Sequence, residues 1–212
     1  MKQQLSEELS SGIQQLGIAV PAELQNKLID YIELLAKWNR THNLTAIRDV
    51  ADMVRRHLLD SLSISEYIDS DSMLDVGSGA GLPGIPIGII KPHVNVTLVD
   101  SVEKKTRFMQ YVAADLGLKN ISVLHRRVED IPDQTGYPVI VARAFSSVDK
   151  LCRLTAHLVA PGGKILAMIG RPLDTDSSKS LNLSGFSIVK EEKLLVPGET
   201  AERNIVVLRH SA

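Results

Sequence analysis

The alternation of apolar and polar residues changes character near residue 70. Before it, apolar positions recur at helical spacing; after it, short apolar runs alternate with amphipathic stretches. Leu5, Leu9, Ile13 and Leu16 make one stripe that stops at Gly17, which predicts a helix. Leu24, Leu28, Tyr31, Ile32, Leu35 and Trp38 make a second stripe, with Pro21 placed as a first-turn residue and Trp38 placed to anchor these helices to the rest of the chain. "RTHNLTAIR" (40–48) reads as a loop. Asp49 then reads as the N-cap of a third helix, whose apolar face carries Val54, Leu58 and Leu62 and whose polar face pairs Arg56 with Asp60.

From residue 72 the pattern predicts strands at 72–76, 95–100, 120–125, 138–143 and 163–169, with helices at about 83–90, 103–116 and 149–159. Three of these strands are nearly continuously apolar, as parallel strands covered on both faces are. Two closing strands, within 185–196 and 203–209, are joined through the turn at Pro197-Gly198, and the polar stretch 172–184 reads as a loop. The expected architecture is a helical N-terminal extension (1–70) packed on a doubly wound α/β domain (71–212).

Composition narrows the class. With 44% hydrophobic and 23% charged residues, the chain has globular composition. Its single Cys152 leaves no internal disulfide and fits a reducing compartment. The polar N-terminus is unlike a secretory signal, and the longest apolar run (84–90) is too short to span a bilayer, so a cytoplasmic protein is expected. The six histidines are scattered without metal-ligand spacing, so no metal site is expected. A net charge of −1 argues against a nucleic-acid coat protein, yet residues 104–127 hold Lys104, Lys105, Arg107, Lys119, Arg126 and Arg127 against the single acid Asp115. One face can therefore be basic.

The candidate chemistry centres on "MLDVGSGAGLPG" (73–84), a strand running into a glycine loop that opens a helix. Glycines there let a ligand lie against bare backbone, with the helix-start N–H groups facing it. Gly79, Gly81 and Gly84 spell the dinucleotide pattern G-x-G-x-x-G, and Asp100 ends the next strand where a ribose-binding acid belongs. The pattern starts two residues late for that ligand, however, and Pro83 and Pro86 remove N–H donors that a pyrophosphate would need. No Gly-Lys-Ser/Thr follows, which excludes a phosphate loop. Read from Asp75, the segment is D-x-G-x-G-x-G, and it resembles the first motif of S-adenosylmethionine-dependent methyltransferases. That resemblance implies that the glycine turn (Gly77, Gly79, Gly81) packs on the methionyl part of the cofactor. It also implies that Asp100 accepts from the ribose hydroxyls, and that Val128 and Glu129 border the adenine.

"WNRTHNLTAIRD", "RHLLDSL", "DVGSGAGLPGIPIGI", "VTLVDSVEKKTRFM", "VARAF" and "PGGKILAMIG", in that order, resemble the bacterial 16S rRNA guanine-N7 methyltransferase family, also called glucose-inhibited division protein B. The resemblance covers about residues 35–170, with a weaker echo in "AERNIVVL". It implies a seven-stranded class I methyltransferase sheet with the last strand antiparallel. It also implies cofactor contacts at Gly77, Leu82, Val128, Glu129 and Arg143, and a 16S rRNA or small-subunit substrate; a monomer is expected separately. The chain departs from that family at Ile169, a place where members carry lysine, and Arg171 two residues on is the candidate replacement. Further candidates for RNA contact are Arg55, Arg56, Lys104, Lys105, Arg126, Arg127 and Phe145, the last by stacking on a base. Guanine N7 carries a lone pair and no proton, so such a reaction needs no general base, and no catalytic dyad is found. Two other readings stay open: a nicotinamide-dependent oxidoreductase on the same kind of sheet, and a non-catalytic ribosome-assembly factor.

Overall fold

The computed structural model describes residues 2–132, 136–174, 176, 181 and 185–210. Much of the 172–184 stretch read as a loop lies outside the described residues, although Leu173 and Leu181 are described and pack into the core.

Helices α1 (Lys2–Gln15) and α2 (Ala22–His42) follow the two predicted stripes. Gly17 ends the first with φ +69°, a left-handed conformation that lets its N–H reach the Gln14 carbonyl (3.0 Å) and the Ile18 N–H reach Ile13 (3.4 Å). Pro21 sits one residue earlier than expected, at the N-cap of α2. Asp49 caps α3 (Val50–Met53) as the sequence implies, its Oδ1 accepting from the Asp52 N–H at 3.0 Å.

The third helix is not the uniform one its apolar spacing predicts. Val54–Leu59 is π-helical, and only Asp60–Leu62 (α4) returns to α geometry. The widened turn reorients every side chain after it. Arg56 and Asp60 accordingly do not form the predicted i,i+4 pair, and each finds a partner from another part of the chain.

Further helices with both ends among the described residues are α5 (Gly84–Ile90), α6 (Glu103–Asp115) and α7 (Val148–Thr155). The strands are β1 (Ser72–Val76), β2 (Asn95–Asp100), β3 (Ile121–His125), β4 (Tyr137–Arg143), β5 (Val159–Ile169), β6 (Phe186–Lys193) and β7 (Asn204–His210). They form one seven-stranded sheet in the order β3-β2-β1-β4-β5-β7-β6. β7 alone runs against the others, pairing antiparallel with both β5 and β6. β5 starts four residues earlier than its apolar run, because Pro161 and Gly162 (φ +74°) lie in an irregularity of the β4–β5 pairing rather than before the strand.

Side chains alternate between the two faces of the sheet, and both faces are covered. Met73, Val139, Val141 and Leu98 pack under α2, α5 and α6, whereas Leu74, Ile140, Ala142 and Val99 face α7. This is why the strands read as unbroken apolar runs. The core on the first face extends without a break into α1 and α2 through Leu9, Leu28, Ile32 and Leu35, all fully buried. Each such side chain contributes roughly 1.5–3 kcal/mol. Trp38 ties α2 to α6, with ring centroids 5.5 Å from Phe108 and 5.3 Å from Tyr111. No helix among the described residues is long and apolar enough to cross a membrane. Strand order reverses between β1 and β4, and that opens a crevice at their carboxyl ends.

Candidate functional site

The glycine loop fills the start of that crevice. Gly77 and Ser78 donate their N–H groups to the Val99 carbonyl (2.9 and 3.1 Å), which ties the loop to β2. Tyr31 Oη, from α2, donates to the Ala80 carbonyl at 2.9 Å. Asp75, wholly buried, accepts the Gly84 N–H through Oδ2 at 2.8 Å, while its Oδ1 has no hydrogen-bond partner among the described residues. Burial raises its carboxyl to about pH 7 against the opposing pull of that N–H and of Arg143.

Gly77, Gly79 and Gly81 all have positive φ (+67°, +62° and +91°), yet their surroundings differ. A Cβ on Gly81 would lie 2.3 Å from Ile85 Cδ1, and one on Gly84 would lie 2.2 Å from Leu98 Cδ2 and 2.7 Å from Asp75 Oδ2. Those two glycines serve packing. A Cβ on Gly77 would meet nothing within 4 Å. Its bare backbone faces open space.

Two cavities meet at Phe145, which lines both. The smaller, about 350 Å³, has Gly77, Val76, Val99 and Val128 along its apolar side and Asp100 and Glu129 at its edge, with Lys105, Arg126 and Arg127 at its rim. Asp100 is buried and held in place: its Oδ2 accepts the Gly79 N–H (2.9 Å) and lies 3.4 Å from Lys105 Nζ, and its Oδ1 accepts the Val102 N–H at the start of α6 (2.9 Å). The Asp therefore braces the loop and the residue that leads into α6 at once. The long Lys105 contact, on a flexible stem, leaves an acceptor position open to a hydroxyl donor. An apolar wall, a bare glycine and two carboxylates fit a ligand with a flat ring, an exocyclic amine and sugar hydroxyls.

The larger cavity, about 480 Å³, lies over the ends of β4, β5 and β7. Its charged lining is Arg56, Asp60, Arg143 and Arg203. Asp60, only 2% exposed, is shared by two arginines: Oδ2 accepts from Arg143 Nη1 and Oδ1 from Arg203 Nε, both at 3.0 Å. Glu199 Oε2 lies 3.1 Å from Arg56 Nε and 3.9 Å from Arg203 Nη2, close enough to pair charges but off the hydrogen-bond axis. Arg143 Nη1 also donates to the Arg56 carbonyl (3.2 Å) within the π-helical turn. His57 in the same turn is buried, and burial lowers its pKa to about 4, so the ring is neutral. Its Nδ1 lies 3.0 Å from the Arg56 carbonyl, which makes Nε2 the acceptor of the Thr45 hydroxyl at 2.9 Å. The Nδ2 of Asn204, a 3% exposed residue of this cavity, has no hydrogen-bond partner among the described residues.

The sequence candidates thus separate. Gly77, Asp100, Val128 and Glu129 come together in the smaller cavity; Arg56 and Arg143 line the larger; Phe145 divides them. Gly79, Gly81 and Leu82 line neither, and Leu82 is buried in the core with its N–H on the Ser78 carbonyl at 2.8 Å. Arg55 turns the other way, to Glu8 of α1 and to Asp52. Lys104 and Arg171 are exposed, and Ile169 lines the larger cavity as an apolar wall. Asp60, Arg203, Glu199 and Asn204 are not candidates from the sequence. Asp60 lies within "RHLLDSL", and Glu199, Arg203 and Asn204 lie in or beside "AERNIVVL", but nothing local marks them as partners.

A glycine turn after β1, an acid at the end of β2 and a sheet with only β7 reversed define the class: this is the fold of S-adenosylmethionine-dependent methyltransferases. It superposes on a methyltransferase of that class from Leishmania major with a TM-score of 0.61 (16% identity, 84% of this chain and 83% of the other). Burkholderia thailandensis 1,6-didemethyltoxoflavin-N1-methyltransferase, solved with bound S-adenosylhomocysteine, gives 0.59 at 13% identity, covering 92% of each chain. Within the class, the family model of GidB, rRNA small subunit methyltransferase G, matches residues 24–206, and the chain belongs to that family. Relatives named ribosomal RNA small subunit methyltransferase G are 44% identical in Methylobacillus flagellatus (96% of this chain, 98% of the relative) and 45% identical in Pseudomonas putida (99% and 97%).

Proposed function

We propose that this chain transfers the methyl group of S-adenosylmethionine to N7 of a guanine in the 16S rRNA of the small ribosomal subunit. The observation that carries the reading is the pair of cavities meeting at Phe145, one with an apolar wall and adenosyl-matching acceptors and the other with arginines. When bound, the cofactor supplies an electrophilic sulfonium methyl. Gly77 gives its methionyl part bare backbone to lie on. Asp100 accepts from the ribose hydroxyls, with Lys105 giving way, and Val128 and Glu129 receive the adenine by apolar contact and by acceptance from its amine.

The chain's remaining work is orientation. The N7 lone pair lies in the plane of the purine and bears no proton, so no residue has to act as a base. Phe145 stacks the guanine, an interaction worth roughly 1–3 kcal/mol. Arg143 and Arg203 face the RNA from the larger cavity, and the rim of Lys105, Arg126 and Arg127, with the exposed Lys104 beside Lys105 in the chain, meets its phosphates. Holding the acceptor about 3–3.5 Å from the methyl carbon, in line, is the main source of rate. The neutral His57 adds no repelling charge to that site. We further assign the helical residues 1–70 to an extension of the cofactor-binding domain, and the reaction to a monomer working without a metal.

Methyl-labelled S-adenosylmethionine supplied with small subunits tests the reading. Label should enter 16S rRNA at one guanine that then undergoes depurination-dependent strand scission. Label on protein, on a small molecule or at another atom of the base would overturn it.

A further inference from the structure

We infer that Asp60 is a positioning residue for methyl transfer, its buried carboxylate fixing Arg143 and Arg203 in the geometry that receives the target nucleotide. The inference rests on the proposed function. Arg143 ends β4 and Arg203 precedes β7, and β5 runs between those strands. Register places Arg143 beside Met168, and Ile169 beside Asn204, so the Asp60 carboxylate bridges the two guanidiniums across the end of β5. Each oxygen holds one arginine at 3.0 Å. Arg143 is fixed a second time by the Arg56 carbonyl, and Arg203 by the Glu202 carbonyl at 2.9 Å.

Stability alone does not account for this arrangement. Taking a carboxylate fully, and two guanidiniums partly, out of water costs about what their attraction returns, and apolar replacements of buried ion clusters are often neutral or better. The cluster also sits in the lining of the larger cavity rather than in the apolar core. A π-helical turn sets the direction of Asp60, pointing it at the sheet instead of along its own helix to Arg56. What the carboxylate provides is orientation. Arg56, Arg143 and Arg203 against Asp60 and Glu199 leave the cluster with one net positive charge.

That charge count separates positioning from electrostatic attraction. Asp60→Asn keeps the shape of the side chain and makes the site more positive, so RNA binding is retained or tightened while the arginines lose their fixed geometry. The single-turnover rate with small subunits should fall on the order of 100-fold. Affinity for the subunit should stay within about threefold of the parent or increase. Asp60→Glu, which restores the charge on a longer arm, should recover part of the rate.

Should Asp60→Asn fail to fold, Arg203→Lys keeps the positive charge but removes the Nε donor, and the same split between rate and affinity is expected. In an Arg203→Gln background, Asp60→Asn should cost less than it does alone, because part of its action runs through Arg203. A folded Asp60→Asn with parental rate overturns the inference. So does an Arg203→Lys whose rate is unchanged, or whose subunit affinity falls as far as its rate. A parent enzyme that puts no methyl on 16S rRNA would instead overturn the proposed function, so the two failures are distinct.

Discussion

The glycine loop yields a prediction in which two substitutions of one kind have opposite consequences. Gly84→Ala places a methyl 2.2 Å from Leu98 Cδ2 and 2.7 Å from Asp75 Oδ2, and both neighbours are fully buried. Alanine gains about 0.5–1 kcal/mol over glycine in a helix. Overpacking costs about 1–3 kcal/mol. Displacing the Gly84 N–H from the Asp75 carboxylate, now 2.8 Å away, adds roughly 1–3 kcal/mol. The net loss is about 1–5 kcal/mol, a fall in Tm of about 2–20 °C for a chain of this size. Gly77→Ala meets nothing within 4 Å and incurs only the strain of φ +67°, about 1–2 kcal/mol. Its methyl, however, enters the space assigned to the cofactor. Urea unfolding measures the first quantity, and calorimetric titration with S-adenosylhomocysteine measures the second. Gly84→Ala should be the less stable protein, and Gly77→Ala the weaker binder by tenfold or more, about 1.4 kcal/mol. The reasoning fails if Gly77→Ala binds like the parent, or if it loses more stability than Gly84→Ala.

Three further outcomes are expected. Asp75 is held near pH 7 against an ordinary value of 3.8, so its ionisation opposes folding; the penalty is absent below about pH 4, grows through pH 7 and reaches about 4 kcal/mol above it. Asp75→Asn should therefore match or exceed the parent's stability at pH 8 and lose that advantage at pH 4 in urea titrations, and a deficit of 2 kcal/mol or more at pH 8 would contradict this. Tyr31→Phe strips the Ala80 carbonyl of its donor and should cost about 1–2 kcal/mol by the same assay, with no cost meaning that the bond is dispensable. Arg126→Gln should reduce the salt-dependence slope of RNA binding by about one, whereas Arg55→Gln, which breaks the pairs to Glu8 and Asp52, should leave that slope unchanged; equal effects would refute the separation of these arginines.

The sheet was legible because its signal is local. Both faces of β1, β2 and β4 are buried, which leaves runs whose ends are marked by polar or turn residues; the bounds of β1 and β2 match the expected 72–76 and 95–100. The π-helical turn at Val54–Leu59 left no mark in the sequence, since its apolar spacing fits a regular helix equally well. That one irregularity redirects Arg55, Arg56 and Asp60. The half of the candidate site built from the loop and Asp100 comes from consecutive strand ends and was readable from spacing, whereas Val128 came only with the family resemblance. The other half joins residue 60 to residues 143 and 203, and pairings at such separations have no periodicity to betray them. Leu82 shows the opposite limit: its place in the loop motif did not disclose that its side chain turns into the core.

The most direct test of the account is to identify the methylated atom. The purified chain, S-adenosylmethionine and small subunits from cells lacking this activity are incubated, and the 16S rRNA is digested to nucleosides for mass spectrometry. The account predicts 7-methylguanosine from a single position, produced by the parent and reduced in Gly77→Ala when the cofactor is limiting. Methylation at any other atom or base, or none at all with folded protein and cofactor bound, would contradict it.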